Sequence, residues 1–419
     1  MSPLRAVAAG FALLGLATAL AAAQPPEAGA GLPVKVPPTG VQTCLAFDAK
    51  KEDWPTPQPC TGISAMRVLP KQDGMLGAGP PAYEAVAGRS LTECVRDRVS
   101  GLVWEGKPDS GKLQWMGKTA GPPGTGDLID SYGPHNEPRP KSRANTDAYS
   151  YHGDGRPGDA MAYVAQVNAM RLCGYTDWRL PTVSELFGIA DVNTLMDVDQ
   201  RSRRITLRQP AIDERWFPNT VAGYYLTAEP VDQTDMWCVD FRKAYVFGCH
   251  RQMRAGTQPL FVRLVRGPEA PETGRWREAA DERGVPGGMV EDRHTGLVWR
   301  RCEEPQTWNG KRCTGTAKRY NYVQAVQHAA AQPGWRLPTV KEGNSVVERW
   351  LQQLDIPPSD FPATGAEPLH LGFWSSTVCT ASPETPTARA SISAWVVSDG
   401  GNLYCESRTM GLGVRLVRE

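Results

Sequence analysis

The sequence lacks the short motifs that mark metal, redox and nucleotide sites. No Cys-x-x-Cys and no Cys-x-x-Cys-His occurs, so zinc ribbons, thioredoxin-like centres and c-type haem attachment lack their spacing. The six histidines are scattered, with no i, i+4 pair and no His-Glu-x-x-His. No Gly-x-Ser-x-Gly, P-loop or Rossmann fingerprint stands in a strand–turn–helix context. We therefore predict no cofactor, no metal site and no catalytic residue.

An excess of charge of either sign is also lacking. The chain has 46 Lys and Arg against 45 Asp and Glu, and loss of the first 23 residues would remove one Arg and no acid. Proteins that bind nucleic acid usually carry a basic excess, so nucleic-acid binding is not predicted. Beyond residue 23 no run of 18 uninterrupted apolar residues occurs, which predicts no membrane span in the mature chain.

The one long apolar run of the sequence lies at its N-terminus. Residues 6–22 are almost all Ala, Leu, Gly, Val and Phe, and they follow Arg5 and end in a small-residue cleavage site. This pattern predicts a signal peptide over residues 1–23, with an uncleaved anchor as the alternative. We expect export to the periplasm, the cell surface or the medium. Gly (42) and Pro (36) are both frequent, which favours turns and short strands over long helices.

Ten cysteines are present, and export would place them where disulfides persist. Locality along the chain favours five pairs, although ten cysteines allow many other connectivities. The pairs are Cys44–Cys60, Cys94–Cys173, Cys238–Cys249, Cys302–Cys313 and Cys379–Cys405.

Three sequence blocks occur twice, in the same order along the chain. Residues 97–104, 178–183 and 262–266 match residues 292–299, 335–340 and 414–418. Recurrence of this kind predicts two diverged copies of one domain. The predicted organisation is a signal peptide at 1–23, an extended Pro-rich segment with one stapled loop at 24–93, copy one at 94–267, a linker at 268–288 and copy two at 289–419.

Copy one carries an insertion. Its first two conserved tryptophans are 74 residues apart, against 36 residues in copy two. The extra residues lie within 107–158, where Gly, Pro, Asp and Ser predict a long surface loop. Asp154-Gly155 in this loop and Asp399-Gly400 in copy two are turn sequences first, with calcium binding as the alternative.

Both copies have the same predicted α+β plan of short antiparallel strands with two helices. First helices are predicted over 160–172 and 322–331 from their apolar spacing. Second helices should begin at Val183 and Val340, where Thr and a Glu three residues later form a capping-box signature. Strands are predicted at 224–228, 236–247 and 260–266 in copy one and at 373–377, 394–405 and 413–418 in copy two. The strands at the two ends of each copy are expected to pair.

The repeated blocks resemble the Lcl C-terminal domain family, also known as DUF1566, of secreted and surface bacterial proteins. The resemblance rests on residues 172–181, 295–299, 307–310, 373–376 and 414–418. It implies a fold similar to C-type lectins and a binding module, since the namesake protein is linked with adhesion to sulfated polysaccharides. Copy one departs at Tyr224–Thr227, where copy two has the aromatic-Trp-Ser-Ser pattern, and copy two lacks the Cys-Gly-Tyr preamble.

The repeated aromatic and basic residues have two interpretations. Residues repeated beside core blocks are usually structural, whereas a sugar platform of Trp and Arg is the functional alternative. Trp237, Trp374 and Trp395, at predicted strand positions, are likewise read as core. The structural motif is Trp104, Trp178, Arg179, Pro181, Trp299, Trp335, Arg336 and Pro338.

Residues in loop-like sequence are the better candidates for ligand binding. Aromatic stacking is predicted for Trp115 and Trp308, and also for Tyr132, Tyr149 and Tyr151 of the insertion. A basic set could meet sulfate or carboxylate groups, with a solvated charge cluster as the alternative. It comprises Arg201, Arg203, Arg204 and Arg208.

Together these features predict an exported, non-catalytic binding or adhesin-like protein whose ligand is a glycan or sulfated polysaccharide. One alternative is an enzyme on a lectin-like scaffold resembling formylglycine-generating enzymes, which needs reactive cysteines and a metal. Another is a structural component of an envelope assembly that binds a protein partner. A glycosidase-type carboxylate pair would leave no motif in the sequence.

Overall fold

The computed structural model describes most of the chain from residue 35 to the C-terminus. The predicted signal peptide lies outside the described residues. So do the four arginines of the predicted basic set, Arg201, Arg203, Arg204 and Arg208. The described residues are 35–48, 51–60, 69–76, 81–109, 115–120, 128–132, 148–153, 155–156, 158–192, 197–198, 205–206, 210–251, 259–268, 275–347, 372–379, 393–398 and 401–419.

Short strands dominate the described chain. The N-terminal segment has β1 (Thr43–Asp48), β2 (Lys51–Pro59) and a 3-10 turn (Asp73–Met75). Copy one has β3 (Tyr83–Ala85), β4 (Cys94–Asp97), β5 (Val103–Glu105), β6 (Trp115–Ala120), β7 (Leu128–Tyr132), α1 (Ala160–Ala169), a 3-10 turn (Leu172–Gly174), α2 (Val183–Gly188), β8 (Asp197–Val198), β9 (Ile205–Thr206), β10 (Tyr224–Pro230), β11 (Asp235–Asp240), β12 (Tyr245–His250), β13 (Leu260–Phe261) and β14 (Val265–Arg266). Copy two has β15 (Trp276–Ala279), β16 (Met289–Asp292), β17 (Val298–Arg300), β18 (Thr307–Trp308), β19 (Cys313–Thr314), α3 (Tyr322–Ala330), α4 (Val340–Ser345), β20 (Phe373–Cys379), β21 (Ser393–Val397), β22 (Leu403–Ser407) and β23 (Val417–Arg418).

Side-chain caps set where the helices begin. The hydroxyls of Thr182 and Thr339 accept hydrogen bonds from the backbone N–H groups of Glu185 and Glu342, whose carboxylates accept from the Thr backbone N–H at 2.8 Å. The predicted starts of α2 and α4 are therefore confirmed. Helix α1 is shorter than the predicted 160–172, because Arg171 has a φ of 51°, which an α-helix does not allow.

In each copy the closing strand pairs with the strand of the Gly-Leu-Val-Trp block, as predicted: β14 with β5, and β23 with β17. The sheets run β14-β5-β4-β3 and β15-β16-β17-β23. Within the predicted linker at 268–288, strand β15 pairs along its whole length with β16 of copy two. Arg275 anchors this strand: its guanidinium stacks over the Trp276 ring at 4.5 Å and donates to the Asp292 carboxylate at 2.7 Å. The copy-two sheet thus includes a strand that precedes residue 289.

The two copies share one sheet. A seven-stranded sheet has the order β13-β10-β11-β12-β22-β21-β20, and the copies meet where Val246 of β12 pairs antiparallel with Leu403 of β22. These two strands are the last members of the corresponding trios β10-β11-β12 and β20-β21-β22, so the strand order is mirrored across the junction. The indole of Trp395 from copy two also packs against Phe187 and Tyr245 of copy one, with ring centroids 6.2 and 5.6 Å apart.

The N-terminal segment is folded against this junction and was predicted only as an extended stapled loop. Leu45 and Leu69 are buried in the large hydrophobic core that spans both copies. The buried Gln72 side chain accepts from the Leu45 N–H at 2.8 Å and donates to the carbonyls of Leu45 and Leu69. Buried amide hydrogen bonds of this kind satisfy backbone groups that would otherwise be costly to bury.

Only part of the insertion lies among the described residues. Its described part contains the antiparallel pair β6–β7. Its last residues return to the core of copy one, where the Tyr149 ring is buried and packs 4.9 Å from the ring of Tyr163. The prediction that Tyr149 is exposed for stacking is therefore wrong, because this ring fills the space beside α1.

All five predicted disulfides are present. Cys44 bonds to Cys60 within the N-terminal hairpin, and Cys94 bonds to Cys173 across copy one. No free cysteine remains, since the ten cysteines are all paired. The other pairs are Cys238–Cys249, Cys302–Cys313 and Cys379–Cys405.

Candidate functional site

The Trp-Arg-Leu-Pro motif holds the fold in both copies. Arg179 donates two hydrogen bonds to the Glu185 carboxylate at 2.8 and 2.6 Å, and Arg336 donates two to Glu342 at 2.7 and 2.8 Å. Each Glu also caps its helix, so the ion pair ties the motif strand to the helix start. Pro181 and Pro338 are buried, and their carbonyls accept hydrogen bonds from backbone N–H groups of β10 and β20 at 2.8 and 2.7 Å.

The repeated tryptophans are in the core. The indoles of Trp104, Trp178, Trp299 and Trp335 are at most 2% exposed. A ring buried to this degree offers no face to a sugar, which favours the structural interpretation over a sugar platform. The three tryptophans of the central sheet are buried as well: Trp237, Trp374 and Trp395.

The structure brings few of the predicted ligand residues together. Trp115 begins β6, where its backbone lies opposite Tyr132 of β7, and the side chains of this pair are outside the description. Tyr151 is half-buried against the core of copy one. The arginines at 201–208 lie outside the described residues, as stated above. Of the two tryptophans predicted to stack, Trp308 is the one whose side chain lies among the described residues.

Trp308 lies on a short disulfide-closed hairpin, which we call the stapled hairpin and define as residues 302–319. Strands β18 and β19 pair through Trp308 and Cys313, and the Cys302–Cys313 disulfide closes the base. The Asn309 side chain accepts from two successive backbone N–H groups of the turn, at 3.0 and 2.9 Å. Gly310 follows with a φ of 93°, a conformation that favours glycine. The sequence and the disulfide together fix the shape of this loop.

The Trp308 side chain is half-buried and held on several sides. Its indole N–H donates to the Pro286 carbonyl at 3.0 Å, and the Arg301 guanidinium lies 4.5 Å from the ring centroid. Arg283 donates to the Trp308 carbonyl at 2.7 Å. Pro286 and Arg283 belong to the predicted linker, so these contacts had no signal in the local sequence. The ring is therefore oriented in advance of any ligand.

The stapled hairpin carries exposed cations. Residues 305–320 contain four basic residues and no acidic residue. Arg319 donates to the Glu303 carboxylate at 3.0 Å. Lys311, Arg312 and Lys318 are exposed, and none of them forms an ion pair with another described residue. The lack of acids in this stretch is the sequence signal that could have identified the set beforehand.

The acidic residues at the base of the hairpin interact with basic side chains of their own. Glu304 is buried and accepts from the Arg300 guanidinium at 3.0 Å, and its other oxygen lies 2.9 Å from Nε2 of His328. Glu303 is also buried and pairs with Arg319. Both acids are buried, so the exposed charges of the hairpin are basic, and they lie on the same short loop as the half-buried Trp308. Exposed cations and an aromatic ring on one loop can bind anionic or sugar-like polymers.

Among the residues that the structure describes, no group of three His, Cys, Asp or Glu side chains converges as metal ligands would. In the same part of the chain, no helix is both long and apolar enough to cross a bilayer.

The fold and the hairpin define a disulfide-stapled tandem α+β protein. The family model of the Lcl C-terminal domain matches residues 93–266 and 288–418, more than half of the chain. The chain therefore belongs to the Lcl C-terminal domain family and contains two tandem copies of its domain. No curated protein and no solved structure matches it.

Proposed function

We propose that this protein is an exported, non-catalytic binding protein whose stapled hairpin recognises anionic glycans such as sulfated polysaccharides. The observation that carries the proposal is that one short hairpin holds both an oriented, half-buried Trp308 and three exposed cations, Lys311, Arg312 and Lys318. Aromatic faces stack on sugar rings, and guanidinium and ammonium groups bind sulfate or carboxylate oxygens.

Preorganisation supports this choice of site. A loop that must be ordered on binding loses affinity through the entropy of ordering, whereas this loop is closed by a disulfide and by its own turn hydrogen bonds. The wider frame is also consistent with a binding module. In each copy the closing strand pairs with the Gly-Leu-Val-Trp strand, β14 with β5 and β23 with β17, and we propose a C-type-lectin-like fold for both copies. Five disulfides fit maturation in an oxidising compartment, as export requires.

The test is binding of heparin and of neutral dextran to the full chain by surface plasmon resonance at several salt concentrations. We expect heparin to bind with an affinity that falls as salt rises, because exposed charges are screened. The double variant K311A/R312A should bind heparin about tenfold or more weakly, since charge-assisted hydrogen bonds contribute about 1.5–3 kcal/mol each.

The matched control is R98A/R215A, which also removes two positive charges, but from exposed sites on copy one. It should bind heparin as the wild type does. Equal loss of affinity in both double variants would show that net charge alone governs binding, and no heparin binding by the wild type would overturn the sulfated-ligand proposal.

The pairing of all ten cysteines disfavours an enzyme of the formylglycine-generating type, because such an enzyme needs a reactive thiol. Thiol titration of the native chain tests this directly, since a titratable thiol would favour the enzyme again.

A structural role in an envelope assembly would be shown by capture of a protein partner whose binding is the same in the wild type and in K311A/R312A.

A further inference from the structure

The two copies cap their second helices differently, although the strands that supply the caps correspond. In copy one the backbone N–H of Val183, the first residue of α2, donates to the Glu229 carboxylate at 2.6 Å. In copy two the N–H of Val340, the first residue of α4, donates to the Thr377 hydroxyl at 2.9 Å. A helix N-terminus favours a negative group, which copy one supplies from its own β10 strand.

Copy two receives its carboxylate from elsewhere in the chain. The Thr377 hydroxyl donates in turn to the Asp73 carboxylate at 2.6 Å, and the other Asp73 oxygen accepts from the Thr39 hydroxyl at 2.9 Å. Asp73 and Thr39 belong to the N-terminal segment, which the family model does not cover. Asp73 is 5% exposed, so this hydrogen-bonded chain is closed to water.

A second polar contact joins the same three parts of the chain. Lys341 of α4 is buried, and its ammonium group donates to the Gly188 carbonyl of copy one at 2.6 Å and to the Pro38 carbonyl of the N-terminal segment at 3.0 Å. Copy one has Ser184 at the corresponding position, with only a hydroxyl. Lys71 adds a contact to copy two through the Trp335 carbonyl at 2.7 Å.

We propose that the described N-terminal residues 35–48 and 69–76 form an intramolecular latch that completes copy two and fastens it to copy one, with Asp73 and Lys341 as its two polar contacts. Copy one needs no such segment, because Glu229 lies on its own strand. The latch adds these polar contacts to the sheet and core that the two copies share. Removal of either contact leaves buried donors or acceptors unsatisfied, which is costly.

The test is hydrogen exchange of the full chain by mass spectrometry at pH 7.5. In D73A, peptides covering 35–48 and 340–347 should exchange about tenfold or more faster, whereas peptides from α1 should keep the wild-type rate. The control D232A removes an exposed turn aspartate of copy one that also accepts from a Thr. It should leave both latch peptides unchanged.

A second variant separates the latch from a general loss of stability. D73A/T377E places a carboxylate on the copy-two strand, as in copy one, so protection of 340–347 should return toward the wild-type level while that of 35–48 should not. Unchanged exchange of 35–48 in D73A would overturn the latch. Equal acceleration in α1 would also overturn it, because the effect would then be global.

Discussion

Arg336 and Glu342 belong to the motif that recurs in both copies, and their ion pair is only about a tenth exposed. Breaking a buried pair leaves an uncompensated charge, at a cost of about 3–5 kcal/mol. We predict that R336A lowers the free energy of unfolding by about 3 kcal/mol in urea denaturation. R266A, which breaks the more exposed pair with Asp177, should lower it by less than about 1 kcal/mol. Similar losses in both variants would argue against a structural role for the motif.

Asp73 should make stability depend on pH. Burial raises its pKa to about 6, against the lowering effect of its hydrogen bonds from Thr377 and Thr39; Glu342 raises the pKa and Lys341 lowers it. The folded state therefore binds this proton more tightly than the unfolded state, whose Asp titrates near 3.9. Its contribution to stability should rise as pH falls from above 6 toward 4.

The measurement is the free energy of unfolding of the wild type and of D73N at pH 7.5 and 5.0. The wild type should gain on the order of 1–2 kcal/mol relative to D73N on going to pH 5.0. Burial lowers the pKa of Lys341 to about 8, so this group is partly deprotonated at pH 7.5; D73N contains the same lysine, so its contribution largely cancels in the comparison. A relative loss for the wild type would show that the Asp73 pKa is not raised.

At the scale of elements, the stapled hairpin should depend on its disulfide. A loop of this size, with cysteines 11 residues apart, contributes about 2–3 kcal/mol when closed. We predict that C302A/C313A lowers stability by about that amount and weakens heparin binding beyond any effect of stability, measured well below the unfolding temperature. Heparin affinity equal to the wild type would show that order in the hairpin is not needed.

Local patterns predicted much of this architecture. The capping boxes placed the starts of α2 and α4, and the order of the cysteines gave all five disulfides. Contacts between distant segments were not predictable. The pairing of β12 with β22, the strand β15 within the supposed linker and the docking of Asp73 on Thr377 have no local signal, because each depends on residues far apart in the chain.

The candidate site was found only in part for the same reason. Trp308 was predicted from loop-like sequence, but Arg301 and Pro286, which hold its ring, come from outside the hairpin turn. The cations were overlooked in favour of the arginines at 201–208, which form a denser run. The signal that distinguished residues 305–320 is the presence of basic residues without any acidic residue among them.

At the scale of the whole molecule, the shared sheet and the common core predict cooperative unfolding. Tryptophan fluorescence and far-UV circular dichroism should report one coincident urea transition. W395A removes a buried ring that packs on Phe187 and Tyr245 of the other copy, so it should split the transition in two. W178A changes a tryptophan within the core of copy one, so it should lower the urea midpoint of the transition without splitting the transition in two. Two transitions in the wild type would contradict the shared core.

The most direct measurement is a hydrogen-exchange map of the full wild-type chain with and without saturating heparin. Slower exchange should appear at residues 302–319, where ligand would cover the turn and its backbone N–H groups, and α1 should be unaffected. No protection anywhere, or protection confined to other surfaces, would contradict recognition through the stapled hairpin.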